Sequence, residues 1–202
     1  IWKAIRPNII SGMGHGEVAE MSLTAGEVMI KARLYLKDTA KNSYSDAELY
    51  EGINDALRIF AEEAARAEDY NGAFSNHAAL TLTSGSVALP NDFIRIKRLF
   101  SANGELLRVI NDTPSASEFA VKGGSLLSGE TAVSLYYYCY PGPVTQQTDR
   151  IDVAASMLTP LAKVAAACIS GSDSAALVAA QYFVGGVKVN LRPDNSGTQS
   201  IE

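Results

Sequence analysis

The chain is poor in the side chains from which metal and nucleophile sites are built. Its 202 residues include two histidines, His15 and His77, two cysteines, Cys139 and Cys168, and one tryptophan. The histidines stand in unrelated contexts, and no HExxH pair is present. The cysteines lie in apolar runs without CxxC spacing, which reads as small buried hydrophobes and not as a disulfide or metal pair. A GxSxG elbow is missing, and Gly12, Gly14 and Gly16 do not follow the GxGxxG spacing of a phosphate loop. Positive charge is also short. Seventeen Lys and Arg against 22 Asp and Glu leave a net charge of −5, the wrong balance for a general nucleic-acid binder. With no run of eighteen apolar residues and no secretory apolar segment, we expect a soluble protein made in the cytoplasm. We expect no catalytic residue, no cofactor and no metal site.

What is present is a long amphipathic helix followed by β structure. Ser45 with Glu48 makes a capping box, in which hydroxyl and carboxylate satisfy free N–H groups at the helix start. Steps of about 100° then place Leu49, Ile53, Ala56, Leu57, Phe60, Ala64 and Ala67 on one stripe. Glu48, Glu51, Asp55, Arg58, Glu62 and Arg66 fall opposite, with Arg58–Glu62 and Glu62–Arg66 expected as i,i+4 pairs. Ala61 and Ala65, beside Asn54, form a small-residue strip. It is either the edge of an ordinary core helix or a seat for a neighbouring subunit.

Thr24 with Glu27 is a second capping box, opening a helix from Ala25 to Leu36 that the polar residues Lys37–Tyr44 join to the long one as a helical hairpin. After Gly72 the apolar period falls from 3.6 to 2. Leu80 and Leu82 lead to a turn at Ser84-Gly85-Ser86, then Val87 and Leu89, in the manner of a β-meander. Asn103-Gly104 separates strands over Ile96–Ser101 and Glu105–Ile110. Thr113-Pro114-Ser115 suggests a single helical turn through Phe119. Strands follow at Ser125–Leu127 and Ala132–Tyr140. In the last, Tyr136, Tyr138 and Tyr140 share a face, suited to cross-strand packing, a subunit contact or a ligand. Arg95 and Lys97 alternate onto one face beside Arg98. Helix returns from about Asp149–Asp152 to Ile169, kinked at Pro160 or restarted by Thr159, and again over Ala175–Asn190. The apolar breadth of Val153–Ile169 calls for cover on most sides. Residues 1–20 form an arm ahead of Met21, a plausible start, and the polar tail Leu191–Glu202 has no core of its own.

The order of these pieces resembles a known family. S-D-x-E-L-x-x-x-I-N-x-A (Ser45–Ala56), L-T-L-x-x-G-x-x-x-L-P-x-D-F-x-R-I (Leu80–Ile96) and an alanine-rich C-terminal helical pair together resemble the head-to-tail adaptor, or connector, proteins of tailed bacteriophages. The fold expected is α+β: a four-helix bundle, residues 21–77 and 149–190, with an inserted antiparallel β module, 78–148, between the arm 1–20 and the tail 191–202. The resemblance implies a structural virion protein made in the host cytoplasm. It would form a homo-oligomeric, commonly dodecameric, ring in the neck, joining the portal protein of the DNA-filled capsid to a tail or further neck protein. Genomic DNA would pass through without specific binding, as an acidic channel favours. Portal contacts are expected at Leu191, Arg192, Pro193 and Ile201, and subunit contacts at Ala61, Ala65, Tyr136 and Tyr138. Alternatives are another neck or tail-completion ring protein, a nucleic-acid-binding module using Arg95, Lys97 and Arg98, or a ligand site at the tyrosines.

Overall fold

The structure, a computed structural model, describes residues 22–68, 74–172 and 174–181. The two capping boxes form as expected. Thr24 and Glu27 head α1 (Ala25–Tyr35), Ser45 and Glu48 head α2 (Asp46–Ala67), and both halves of each box are present. Thr24 also belongs to β1 (Leu23–Thr24). The Leu49–Ala64 stripe is fully buried, so periodicity placed this helix face correctly.

The four-helix bundle with one inserted antiparallel module is overturned. Among the described residues nine strands in three sheets outweigh the helices. The strands are β1, β2 (Ser75–Thr81), β3 (Ser86–Ala88), β4 (Phe93–Ser101), β5 (Arg108–Val109), β6 (Glu118–Lys122), β7 (Ser125–Ser128), β8 (Ala132–Cys139) and β9 (Arg150–Ile151). One sheet has the order β2-β8-β4, a second β3-β7-β6-β5, and β1 pairs with β9. The turn at Ser84-Gly85 does form, but it carries the chain from one sheet to the other instead of closing a two-strand hairpin. The Glu105–Ile110 stretch likewise changes partner. Leu107 donates to Leu99 of β4, while Arg108 and Val109 run parallel to β6.

Two expected helices also give way. Over 149–153 the chain pairs as β9 with β1, and Asp149 accepts hydrogen bonds from the N–H groups of Thr145 and Gln146, which makes a turn. Helix α3 (Leu158–Ile169) starts only after a 3₁₀ turn at Ala155–Met157, without a side-chain cap from Thr159. Pro160 falls within its first turn, where an N–H has no intrahelical partner to lose. At Ser115 the hydroxyl and backbone N–H both donate to the Glu118 carboxylate, but the Glu118 N–H donates to the Ser115 carbonyl, Ser117 adopts φ 67° and the chain continues as strand β6.

Two apolar clusters result. One joins α1, α2, α3 and the helical residues 174–181, with Phe60, Met29, Leu161 and Val164 at its centre. α3 lies against both α1 and α2, so its apolar breadth is covered from within the chain. At Gly52 the approach is closest: a Cβ there would come within 2.3 Å of Ile169 Cγ1. The other cluster fills the sheets with Leu99, Phe119, Leu126, Val133, Leu135 and Tyr137.

Candidate functional site

The open surface that gathers the most chemistry is a groove of about 730 Å³ on the β2-β8-β4 sheet, lined by Ser75, Asn76, His77, Lys97, Arg98, Phe100 and Tyr136. Strand register builds it. His77 of β2 and Arg98 of β4 both stand opposite Tyr136 of β8. The pairing of β4 with β8 slips between Phe93 and Arg95 and again between Ile96 and Arg98. These irregularities correct the expected alternation: with Lys97 as an added residue, Arg98 stands opposite Tyr136 as Arg95 stands opposite Tyr138.

The side chains are arranged around Tyr136. Its ring lies 4.6 Å from the His77 ring and 5.8 Å, edge-on, from Phe100. Lys97 Nζ sits 5.0 Å over the Tyr138 ring and donates to Ser75 Oγ at 3.4 Å. Arg98 is exposed and makes no ion pair among the described residues. No carboxylate lines the groove among the described residues. Arg95, in contrast, is spent on α2, where it donates to the Ala65 carbonyl at 3.2 Å and to Glu68 at 2.9 Å.

The tyrosine row does not act as one surface. Tyr136 is 44% exposed, whereas Tyr138 is 3% exposed. Tyr140 donates to Glu62 at 3.0 Å beneath Arg58, whose guanidinium is 5.7 Å from its ring. That contact, with Arg66 paired to Glu63, replaces the expected Arg58–Glu62 and Glu62–Arg66 pairs. On the inner face Tyr137 donates to Asp92 at 3.1 Å, and burial with that carboxylate pushes its phenol up to about 12. Burial likewise raises the Cys139 thiol and the Tyr140 phenol.

Ala61 and Ala65 are buried by the chain itself, and Asn54 beside them clamps the chain with a pair of backbone hydrogen bonds to Val144. Of the four expected subunit-contact residues only Tyr136 presents substantial surface. Leu191, Arg192, Pro193 and Ile201 lie outside the described residues. Sequence reading singled out Arg98 and Tyr136 separately but missed Ser75, Asn76, His77 and Phe100 as their neighbours. The β2–β8 pairing that unites them joins residues far apart in the chain.

Outside the groove, apolar side chains remain in the open on α1, where Ile30 and Leu34 are 64% and 58% exposed one helical turn apart, and at Leu177 and Val178. Among the described residues no group of three or more His, Cys, Asp and Glu is placed to hold a metal ion. No described helix is long and apolar enough to cross a membrane.

Comparison with known proteins agrees with the resemblance noted from the sequence. No curated protein matches the chain. The family model described as SU10 adaptor protein matches residues 23–189, from β1 through the C-terminal helical region. The match spans both apolar clusters and most of the chain, and so the chain belongs to the SU10 adaptor protein family of phage head-to-tail adaptors, structural components of the virion.

Proposed function

We propose that copies of this chain form a ring in the neck of a tailed phage, between the portal of the filled capsid and the tail. Family membership over residues 23–189 is the observation that carries this reading. Two features support it. Ile30 and Leu34 on α1, and Leu177 and Val178 in the helical residues 174–181, leave apolar side chains exposed on two elements. A head-to-tail contact repeated around a closed axis uses two unlike faces of this kind. The net charge of −5 suits a wall past which DNA slides without being held.

In this reading the tail Leu191–Glu202 reaches the portal through Leu191, Arg192, Pro193 and Ile201. The test is assembly with portal protein, imaged for a collar below the portal. The full chain should add a ring, and a chain ending at Asn190 should keep its fold but fail to dock. A chain that binds tail proteins and ignores the portal would belong to a different tier of the neck.

A further inference from the structure

We infer that the groove around Tyr136 is the seat for a second copy of this chain, which inserts the acidic stripe of its α2. The inference rests on the ring reading and adds a charged pair of surfaces to the apolar ones.

The groove offers Arg98 without an ion pair among the described residues, Lys97 beside it, and the flank of Tyr136 between His77 and Phe100. An occupant must therefore bring one or two anionic groups with some apolar surface. On the exposed side of α2, Glu51 and Asp55 stand four residues apart. Neither makes an ion pair or a side-chain hydrogen bond among the described residues, although the Ser45 cap and the Arg33–Asp46 pair engage the acids before them. Like charges at that spacing destabilise a helix. A cation from outside the helix removes that cost. The stripe and the groove use different residues on different elements, so the contact is head-to-tail and can repeat.

Numbers separate this occupant from DNA. Nucleic-acid affinity grows with the count of neutralised phosphates, and a protein held by its phosphate contacts makes several of them. The groove supplies the cations Lys97 and Arg98, on a chain of net charge −5. Two cations match two carboxylates and fall well short of a phosphate backbone.

The test reverses charges on the full chain. Arg98→Glu, and separately the double variant Glu51→Lys with Asp55→Lys, should each weaken ring formation about tenfold, read by sedimentation and by collar occupancy on portal particles. Circular dichroism should be unchanged, since all three side chains are exposed. Placing all three substitutions in one chain should restore assembly, because the attraction is re-formed with signs exchanged. Arg98→Lys should leave assembly nearly as it was. Rings that form equally well from Arg98→Glu, or a triple variant with no recovery, overturn this inference and leave the ring reading intact. A wild-type chain that forms no ring on portal particles overturns both. Salt-sensitive binding of a labelled oligonucleotide that disappears in Arg98→Glu would assign the groove to nucleic acid instead.

Discussion

Helix α2, the longest of the described helices, and strand β8, the middle of its sheet, are specified in different ways. α2 carries its own instructions: a capping box at one end, an unbroken 3.6-residue apolar stripe, and Glu68 in the left-handed region to stop it. β8 has an apolar alternation but nothing that names its partners. It lies between β2 and β4, with Ala132 opposite Thr81 on one side and Cys139 opposite Phe93 on the other. Long-range pairing of that kind is set by the whole fold. The difference extends to function. In the helical layer the buried Arg33 finds its partners within the chain, in Asp38, Asp46 and the Tyr44 carbonyl. The outer face of the three-stranded sheet leaves a cationic groove open.

Whether the two layers stand or fall together is the sharpest way to test that contrast. Phe60 is fully buried at the centre of the helical cluster, and Phe60→Ala should cost about 3–5 kcal/mol in denaturant unfolding. Leu135→Ala, equally buried in the sheets, should cost about 2–5 kcal/mol. Arg95–Glu68 and Tyr140–Glu62 tie α2 to the sheet, so both variants should shift one common transition. Two transitions, with β8 amide protection unmoved by Phe60→Ala, would divide the molecule.

The starts of α1 and α2 and strand β8 should also respond to opposite ends of the pH scale. Around the helices, the Thr24 and Ser45 groups hold Glu27 and Glu48 below the usual carboxylate range, and the Ser43 N–H chiefly does so for Asp38. A lowered carboxylate contributes stability above its unfolded value, which is lost as pH falls through the folded one. Tyr137 is the reverse case. Raised to about 12 in the fold, it contributes in full below its ordinary value near 10, and the contribution is lost as pH climbs through 12. The loss is on the order of 2 kcal/mol. Amide exchange followed against pH should show helical protection falling first in acid and β8 protection falling first in alkali. Tyr137→Phe should flatten the alkaline limb.

Where the helices meet, size is the variable. Gly52→Ala gains helix propensity but drives a methyl into Ile169 and to 3.1 Å from the Ala165 carbonyl oxygen. Overpacking of that kind costs about 1–3 kcal/mol, so the net effect on thermal stability should be a loss. Ile169→Val in the same chain should recover part of it. A Gly52→Ala variant more stable than the wild type would mean α2 and α3 sit farther apart than described.

Much of the helical layer was legible because its signals are local. The Thr24 and Ser45 caps and the Leu49–Ala64 stripe follow from residues within a few turns of one another. The errors arose where a distant partner decides. Residues 149–153 read as the start of a helix until β1, more than a hundred residues earlier, is there to pair with Arg150 and Ile151. The small-residue strip at Ala61 and Ala65 read either as the edge of a core helix or as a seat for a neighbour, and the chain's own packing buries it. Arg95, Lys97 and Arg98 read as one basic cluster, and the slips against β8 send Arg95 to α2 while leaving the other two at the groove. No local pattern announces those slips.

The smallest expected effect isolates what local signals can do alone. Ser45 and Ser115 each send a hydroxyl and a backbone N–H to the carboxylate of a Glu three residues on, but only Glu48 returns its N–H to the Ser hydroxyl, whereas the Glu118 N–H donates to the Ser115 carbonyl. At Ser45 a 22-residue helix follows, so the cap satisfies the first of a series of free N–H groups. At Ser115 only a turn follows before β6, and Glu130 already accepts from the Ser117 N–H nearby. Ser45→Ala should therefore cost about 1 kcal/mol in thermal unfolding. Ser115→Ala should fall within about 0.5 kcal/mol of the wild type, the range of ordinary surface changes. Equal losses at the two sites would show that the box stabilises whatever chain follows it, and that the helix adds nothing to its strength.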